Sequence, residues 1–305
     1  MSSQGVKQMD EQREAVRKMQ DYIREHIQED ITINDLAEAS SFSPWHARRL
    51  FQKYLNMTPA VYIRRLRLSK SALKLRDEQV NVLDVALDMG FGSVDGYQRA
   101  FRREFGCNPK EYSTSPVPVW LFTPSLIETK QAKEGKVKEM SESKEIRNIF
   151  IQLIEKPARK VIIKRGIKAD EYFSYCEEVG CDVWGLLTSI KSISGEPVCM
   201  WLPKKMRKPV TNEYVQGVEV ENDYSGNIPE GFEIIELPAA KYLLFRGEPF
   251  AQEDYAQAIN EIWQSEKKYD PAFIGYMWDE DNPRIQLEPR GERGYIELVP
   301  VKEKI

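Results

Sequence analysis

The chain is poor in histidine and cysteine. Two histidines, His26 and His46, and four cysteines, Cys107, Cys176, Cys181 and Cys199, are all it has. Their spacing makes no zinc knuckle, so no metal site is expected. The chain opens on the polar stretch MSSQGVKQMDEQREAVRKM, which has no secretory h-region. Four thiols in such a chain read as reduced, in the cytoplasm. No apolar run comes near the ~20 residues of a membrane-spanning helix, so no membrane partner is expected. Neither a Ser-His-Asp set nor a phosphate-cradling glycine loop stands out, so no cofactor and no enzymatic activity are expected.

One further absence is local. Between Ser41 and Arg76 the chain carries nine Lys and Arg and not one Asp or Glu, although its net charge is -4. Residues 1–115 hold 18 basic against 16 acidic side chains, and the rest of the chain holds 26 against 32. A length of 305 residues exceeds one ordinary domain. Together these point to two modules with different partners.

What is present first is a repeat. Asp35, Ala37 and Phe42 recur 49 residues later as Asp84, Ala86 and Phe91. Phe51, Pro59 and Tyr62 recur 50 residues later as Phe101, Pro109 and Tyr112. Each copy reads as helix, tight turn, helix. In the first, Thr32 or Asn34 caps a helix with apolar Ile33, Leu36 and Ala37. Ser43 then caps a second helix with Pro44 in its first turn. Ala47, Leu50, Phe51 and Tyr54 form the inward stripe, leaving Trp45, His46, Arg48, Arg49 and Lys53 outward. In the second copy Leu83, Val85, Ala86 and Met89 pack the first helix. Ser93 caps the next, whose outward positions are Val94, Asp95, Gly96, Arg99, Arg102 and Arg103. The stretch from Pro59 to Arg76 reads as a long helix separating the copies by roughly 25–30 Å at 1.5 Å per residue. Two such helices about one duplex turn apart enter successive major grooves from one side. Carboxylates on that surface would face phosphate, and their absence makes the basic stretch a DNA-facing surface. Arg64, Arg65 and Arg67 stay open between this role and an ordinary solvated face.

The motifs DLAEASSFSPWHARRLFQKYLNMTPAVYIRRLRL and VLDVALDMGFGSVDGYQRAFRREFGCNPKEY resemble the tandem helix-turn-helix domain of the AraC/XylS family of transcription regulators. The resemblance implies a partner of double-stranded promoter DNA, with RNA polymerase as a second partner. It implies base and phosphate contacts from Trp45, Arg48 and Arg49 in the first recognition helix, and from Val94, Asp95, Gly96 and Arg99 in the second. His46, Lys53 and Arg103 complete the expected DNA-binding set. Asp95 can accept from cytosine N4 but is repelled by phosphate. With both units in one chain, a monomer suffices on DNA and a dimer stays open.

From about Ser113 the texture changes. Residues 114–148, proline-rich and then strongly charged, read as a linker between a domain at 1–113 and another at 149–305. Trp120, Leu121 and Phe122 are candidates to dock the linker on either domain. In the last part, IQLIEKPARKVIIKRG at Ile151 parallels FEIIELPAAKYLLFRG at Phe232, each followed by a helix, an aromatic strand and a closing strand. The expected fold class is therefore an all-α tandem helix-turn-helix domain followed by an α+β domain of two pseudo-symmetric repeats. This half resembles the GyrI-like effector-binding domain. The resemblance implies a cleft between the two halves, lined by aromatics around a carboxylate, taking a hydrophobic, often cationic, small-molecule effector. Glu297 is the expected carboxylate, with Glu288 as the alternative. Trp201, Tyr214, Tyr276, Trp278 and Tyr295 are the aromatic candidates. Glu219 and Glu221 read as solvated, and Trp184 and Trp263 as core. Two alternatives stay open for this half: a hydrolase of electrophilic small molecules with Glu297 activating water, and a protein-docking module.

Overall fold

The computed structural model describes residues 3–124, 148–251 and 254–304. The chain forms two compact units, residues 1–136 and 137–305. The part of the expected linker at 125–147 lies outside the described residues.

The first unit is helical: α1 (Ser3–Glu25), α2 (Ile33–Ser40), α3 (Pro44–Leu55), α4 (Pro59–Asp77), α5 (Val82–Asp88), α6 (Val94–Phe105) and α7 (Pro109–Thr114). The caps follow from sequence. Thr32 and Asp35 form a capping box at α2. Ser43 accepts from the His46 amide at α3 and Ser93 from the Gly96 amide at α6, satisfying orphan donors of the first turn. The α3 and α6 helices both end in a left-handed residue, Asn56 and Gly106.

Helix α4 serves two cores. Its first half supplies Tyr62, Ile63 and Leu66 to a cluster with α1, α2 and α3. Its second half supplies Leu68, Ala72 and Leu75 to a cluster with α5 and α6. The buried positions therefore change face along the helix, which is why it shows no single apolar stripe. Leu83, expected in the core, is exposed on α5. The segment after α7 belongs to this unit: Val119 and Leu121 are buried in the second cluster, and the Phe122 amide donates to Ser69 Oγ at 2.7 Å. Trp120 is exposed.

The second unit is one antiparallel sheet with helices: β1 (Phe150–Lys156), β2 (Arg159–Arg165), α8 (Tyr172–Glu178), α9 (Val183–Ser189), β3 (Val198–Trp201), β4 (Tyr214–Val220), β5 (Glu233–Leu237), β6 (Ala240–Arg246), α10 (Tyr255–Lys268), β7 (Tyr276–Trp278), β8 (Arg284–Gln286) and β9 (Ile296–Glu303). The strand order is β1-β6-β9-β8-β3-β4-β2-β5, with β7 on β9. The two Pro-Ala turns do not close hairpins. Instead β1 pairs with β6, and β5 pairs with β2. The helix expected over residues 170–190 is two helices, broken at Gly180 with φ +109°.

Helices α8 and α9 cover Ile162, Val218, Cys199 and Tyr214 on one face of the sheet, and α10 covers Leu243 and Phe245 on that same face of the far strands. The opposite face holds Val161, Val215, Tyr242, Ile285 and Leu298. There Arg159 on β2 donates to Glu219 on β4 at 2.5 Å and to Tyr242 Oη on β6 at 3.4 Å, and Lys156 donates to Glu219 at 2.6 Å. The sheet thus curls until β2 and β6, five places apart in its order, touch. Glu219 is 0% exposed, not solvated as its alternation with Glu221 implied. Its charge is tolerable there because two cations face it.

Candidate functional sites

On the helical unit, α3 and α6 present their outward faces as their stripes require. Trp45 stands 69% exposed at the start of α3, with the Arg49 guanidinium 5.3 Å from its ring centre. Arg48 and Arg49 are exposed. Helix α6 exposes Asp95, Arg99, Arg102 and Arg103, with Val94 and Gly96 half-buried. Among the described residues no ion pair engages Arg48, Arg49, Arg99, Arg102 or Arg103. Two of the expected contacts are engaged within the unit, half-buried His46 and exposed Lys53. His46 stacks on Phe42 at 4.7 Å, and Lys53 donates to Gln12 Oε1 at 2.9 Å.

The remaining basic residues of the acid-free stretch are mostly braces, which corrects the reading of that stretch as one DNA-facing surface. Arg65 donates to Glu104 on α6 at 2.6 Å and lies over the Phe122 ring at 4.7 Å. Arg67 donates to the carbonyls of Ile27 (2.8 Å), Glu29 and Gly90 (3.2 Å), tying the end of α1 to the second turn. Lys74 pairs with Asp88 at 2.5 Å. The carboxylates missing locally are supplied from other helices.

On the sheet unit, backbone register builds the second site. Gln216, Cys199, Gln286 and Glu297 lie directly opposite one another across β4, β3, β8 and β9. Directly opposed residues share a face, so these four form one polar row. Two residues along, Tyr214, Trp201 and Arg284 form a parallel row on the same face. Tyr295 enters from the strand end and Trp263 and Glu266 from α10.

Glu297 is 0% exposed and saturated. Tyr295 Oη donates to Oε2 at 2.8 Å and Trp263 Nε1 to the same oxygen at 2.9 Å, while Arg284 Nε donates to Oε1. Arg284 also donates to Glu266 Oε2 at 2.7 Å. Its guanidinium lies 5.0 Å from the Trp201 ring centre and 5.8 Å from that of Trp263, within cation–π range of both. Burial and the Glu297 charge push the Glu266 carboxyl up to about 8, against the pull of Arg284. Burial lowers the Arg284 affinity for its proton, but Glu297 and Glu266 more than offset this. Burial raises the Tyr295 and Tyr214 hydroxyls well above their ordinary range and the Cys199 thiol to about 12.

Three polar groups around the rows are left over. Among the described residues, neither amide atom of buried Gln216 has a hydrogen-bond partner, nor has Glu266 Oε1. The buried Tyr214 hydroxyl has only the Cys199 thiol beside it. An unpaired buried amide costs about 1–3 kcal/mol, which sets the Gln216 side chain apart from the other polar groups of the row.

Of the expected ligand residues, Glu297, Trp201, Tyr214 and Tyr295 come together here. Tyr276 and Trp278 do not: they pack in the cluster beneath α10, beside Lys241 and Tyr269. Glu288 pairs with Arg290 at 3.0 Å. Trp263, read as core, is a donor to the central carboxylate. Arg284, Glu266 and Gln216 were not foreseen. The only sequence signal for Arg284 and Gln216 is polarity inside short apolar runs.

Comparison with known proteins agrees with this division. A helix-turn-helix domain family matches residues 36–115, and the family described as integron-associated effector binding protein matches residues 183–293. The regulatory protein SoxS of Salmonella typhimurium is 34% identical over 97 residues, 32% of this chain and 91% of SoxS. YkgA of Escherichia coli K12, an HTH-type transcriptional regulator by name, is 27% identical over 208 residues, 62% of this chain and 85% of YkgA. A solved AraC-type regulator from Chromobacterium violaceum is 24% identical, with a TM-score of 0.32, over 33% of this chain and 94% of its own.

Proposed function

Because the chain belongs to the AraC/XylS family of transcription regulators, we propose that its helical unit docks α3 and α6 in successive major grooves of promoter DNA and that its sheet unit senses a small, largely apolar effector. The observation that carries the DNA reading is the contrast among the basic residues. Those that brace the fold are paired, and those on the outward faces of α3 and α6 are left to phosphates and base edges. Trp45, Arg48 and Arg49 read one half-site, and Arg99, with Asp95 accepting from a cytosine, reads the other. The acting unit runs from residue 1 to 124, since the strap through Phe122 packs on α4.

The sheet unit supports sensing through the two rows and their unpaired groups. Its strand order reads the same from both ends when the repeats are exchanged, β1 for β5, β6 for β2, β9 for β4 and β8 for β3, which favours two pseudo-symmetric halves meeting at β8 and β3. Glu297 accepts from three donors and has no exposed surface, which favours binding over activation of water. The protein acts in the cytoplasm, as a monomer on DNA, and the effector alters how the bound regulator meets RNA polymerase.

Hydroxyl-radical footprinting of the full chain on a selected promoter fragment tests this. Two protected patches about 10 base pairs apart on one side of the duplex are expected, with Arg48→Ala weakening one patch and Arg99→Ala the other. A single protected groove would rule out the two-helix reading.

A further inference from the structure

The charge of the effector is written into the sheet unit. An aromatic cleft with a buried carboxylate would ordinarily call for a cationic guest, since the guest then compensates the charge. Here that seat is filled from within. The Arg284 guanidinium sits between the faces of Trp201 and Trp263 and donates to both Glu297 and Glu266. Its side chain, 34% exposed, stands toward solvent, and Glu297 behind it has no exposed surface. An incoming cation would have to displace a covalently tethered one from a carboxylate that already accepts from three donors. An anion would face the carboxylates. Apart from Glu266 Oε1, the groups here that lack a hydrogen-bond partner among the described residues are neutral: the Gln216 amide, which offers a donor and an acceptor side by side, and the Tyr214 hydroxyl, with only the Cys199 thiol beside it.

We propose that Arg284 sets the effector class: the cleft takes an uncharged, planar compound whose adjacent N–H and C=O groups pair with the Gln216 amide. This rests on the sensing reading of the sheet unit. Geometry argues for it in two ways. Gln216 is fully buried in the same cross-strand row as Cys199, Gln286 and Glu297, so its amide lies on the face of the sheet that carries Glu297 and Arg284. Tyr214 and Trp201 stand in the neighbouring row, edge to face with ring centres 5.2 Å apart, and put two aromatic rings beside the Gln216 row. The raised Glu266 carboxyl is consistent with this, because a protonated Glu266 leaves one guanidinium facing one carboxylate.

The test uses three planar tricycles of one size with the full chain at pH 7: phenanthridinone, a neutral lactam; N-methylphenanthridinium, a cation; and phenanthrene carboxylate, an anion. Fluorescence titration of the natural protein is expected to show phenanthridinone binding at least about tenfold more tightly than either ion. Arg284→Met is expected to reverse the order in favour of the cation. Arg284→Lys, which keeps the internal charge, is expected to keep the preference for the lactam. Gln216→Leu removes only the amide and is expected to weaken the lactam about tenfold while leaving the ions unmoved. It reads the proposal even if Arg284→Met does not fold. Tightest binding of the cation or the anion to the natural protein would overturn the proposal and keep the sensor. Lactam binding indifferent to Gln216→Leu would also overturn it. Failure of all three probes with every variant would overturn the sensing reading itself.

Discussion

The two units handle charge in opposite ways. In the helical unit the outward cations of α3 and α6, Arg48, Arg49, Arg99, Arg102 and Arg103, stand exposed with no ion pair among the described residues, while cations that hold the fold are engaged. In the sheet unit the clustered charges are inside, where Arg284 faces Glu297 and Glu266 and the raised Glu266 carboxyl keeps its proton. A DNA surface needs charge that solvent can reach, since its partner brings the opposite charge on an extended surface. A buried carboxylate needs a cation beside it, and in the sheet unit the chain supplies that cation itself.

The sharpest way to break this comparison is to unbalance a buried pair. Arg159→Met leaves Glu219 buried with only Lys156, and a loss of about 3–5 kcal/mol is expected from the sheet-unit transition in urea, with DNA binding intact. A loss under about 1 kcal/mol would mean that the curled sheet does not depend on that pair. A core change in the other unit gives the counterpart: Phe101→Ala should cost about 3–5 kcal/mol and abolish DNA binding, with the sheet-unit transition unmoved.

Next comes the turn that Arg67 holds. Gly90 has φ +69°, and a Cβ there would lie 2.9 Å from Arg67 Cζ. Gly90→Ala is expected to cost about 1–2 kcal/mol, read as a lower midpoint for the helical-unit transition. On the surface the effect on stability should vanish. Arg99→Ala should leave both transitions in place and reduce the slope of log affinity against log salt by about 1 if Arg99 meets a phosphate, or relax specificity at one base pair if it reads a base edge.

One expected effect is pH-dependent. The folded Glu266 carboxyl titrates at about 8 against an ordinary 4.5, with Glu297 and Arg284 facing it. The folded state therefore holds a proton that the unfolded state releases. The stability this confers is full below pH 4.5 and is lost as pH rises towards 8. Glu266→Gln should remove that slope, so the variant should gain on the natural protein as denaturation is moved from pH 5 to pH 8.

Legibility followed the same divide. Ser43 with Pro44, Ser93, and the 49- and 50-residue repeat marked both recognition helices before any fold was known. Arg65 and Arg67 could not be sorted from the DNA-facing set, because their partners, Glu104 and the carbonyls of Ile27 and Gly90, lie on other elements. In the sheet unit Glu297, Trp201, Tyr214 and Tyr295 were legible as residue types on strands, but Tyr276 and Trp278 looked the same and went elsewhere. Strand β8, three residues long and carrying Arg284 and Gln286, has too little alternation to stand out.

By itself the sequence determined the helical caps, the repeated helix-turn-helix and the outward faces of α3 and α6, because each rests on contacts within one turn or one helix period. Tertiary structure alone decided that β1 pairs with β6, that Glu219 is buried against Arg159, and that Gln216 and Glu297 share a row. Those outcomes depend on the register between strands up to 80 residues or more apart, and a one-residue slip would turn every side chain to the other face.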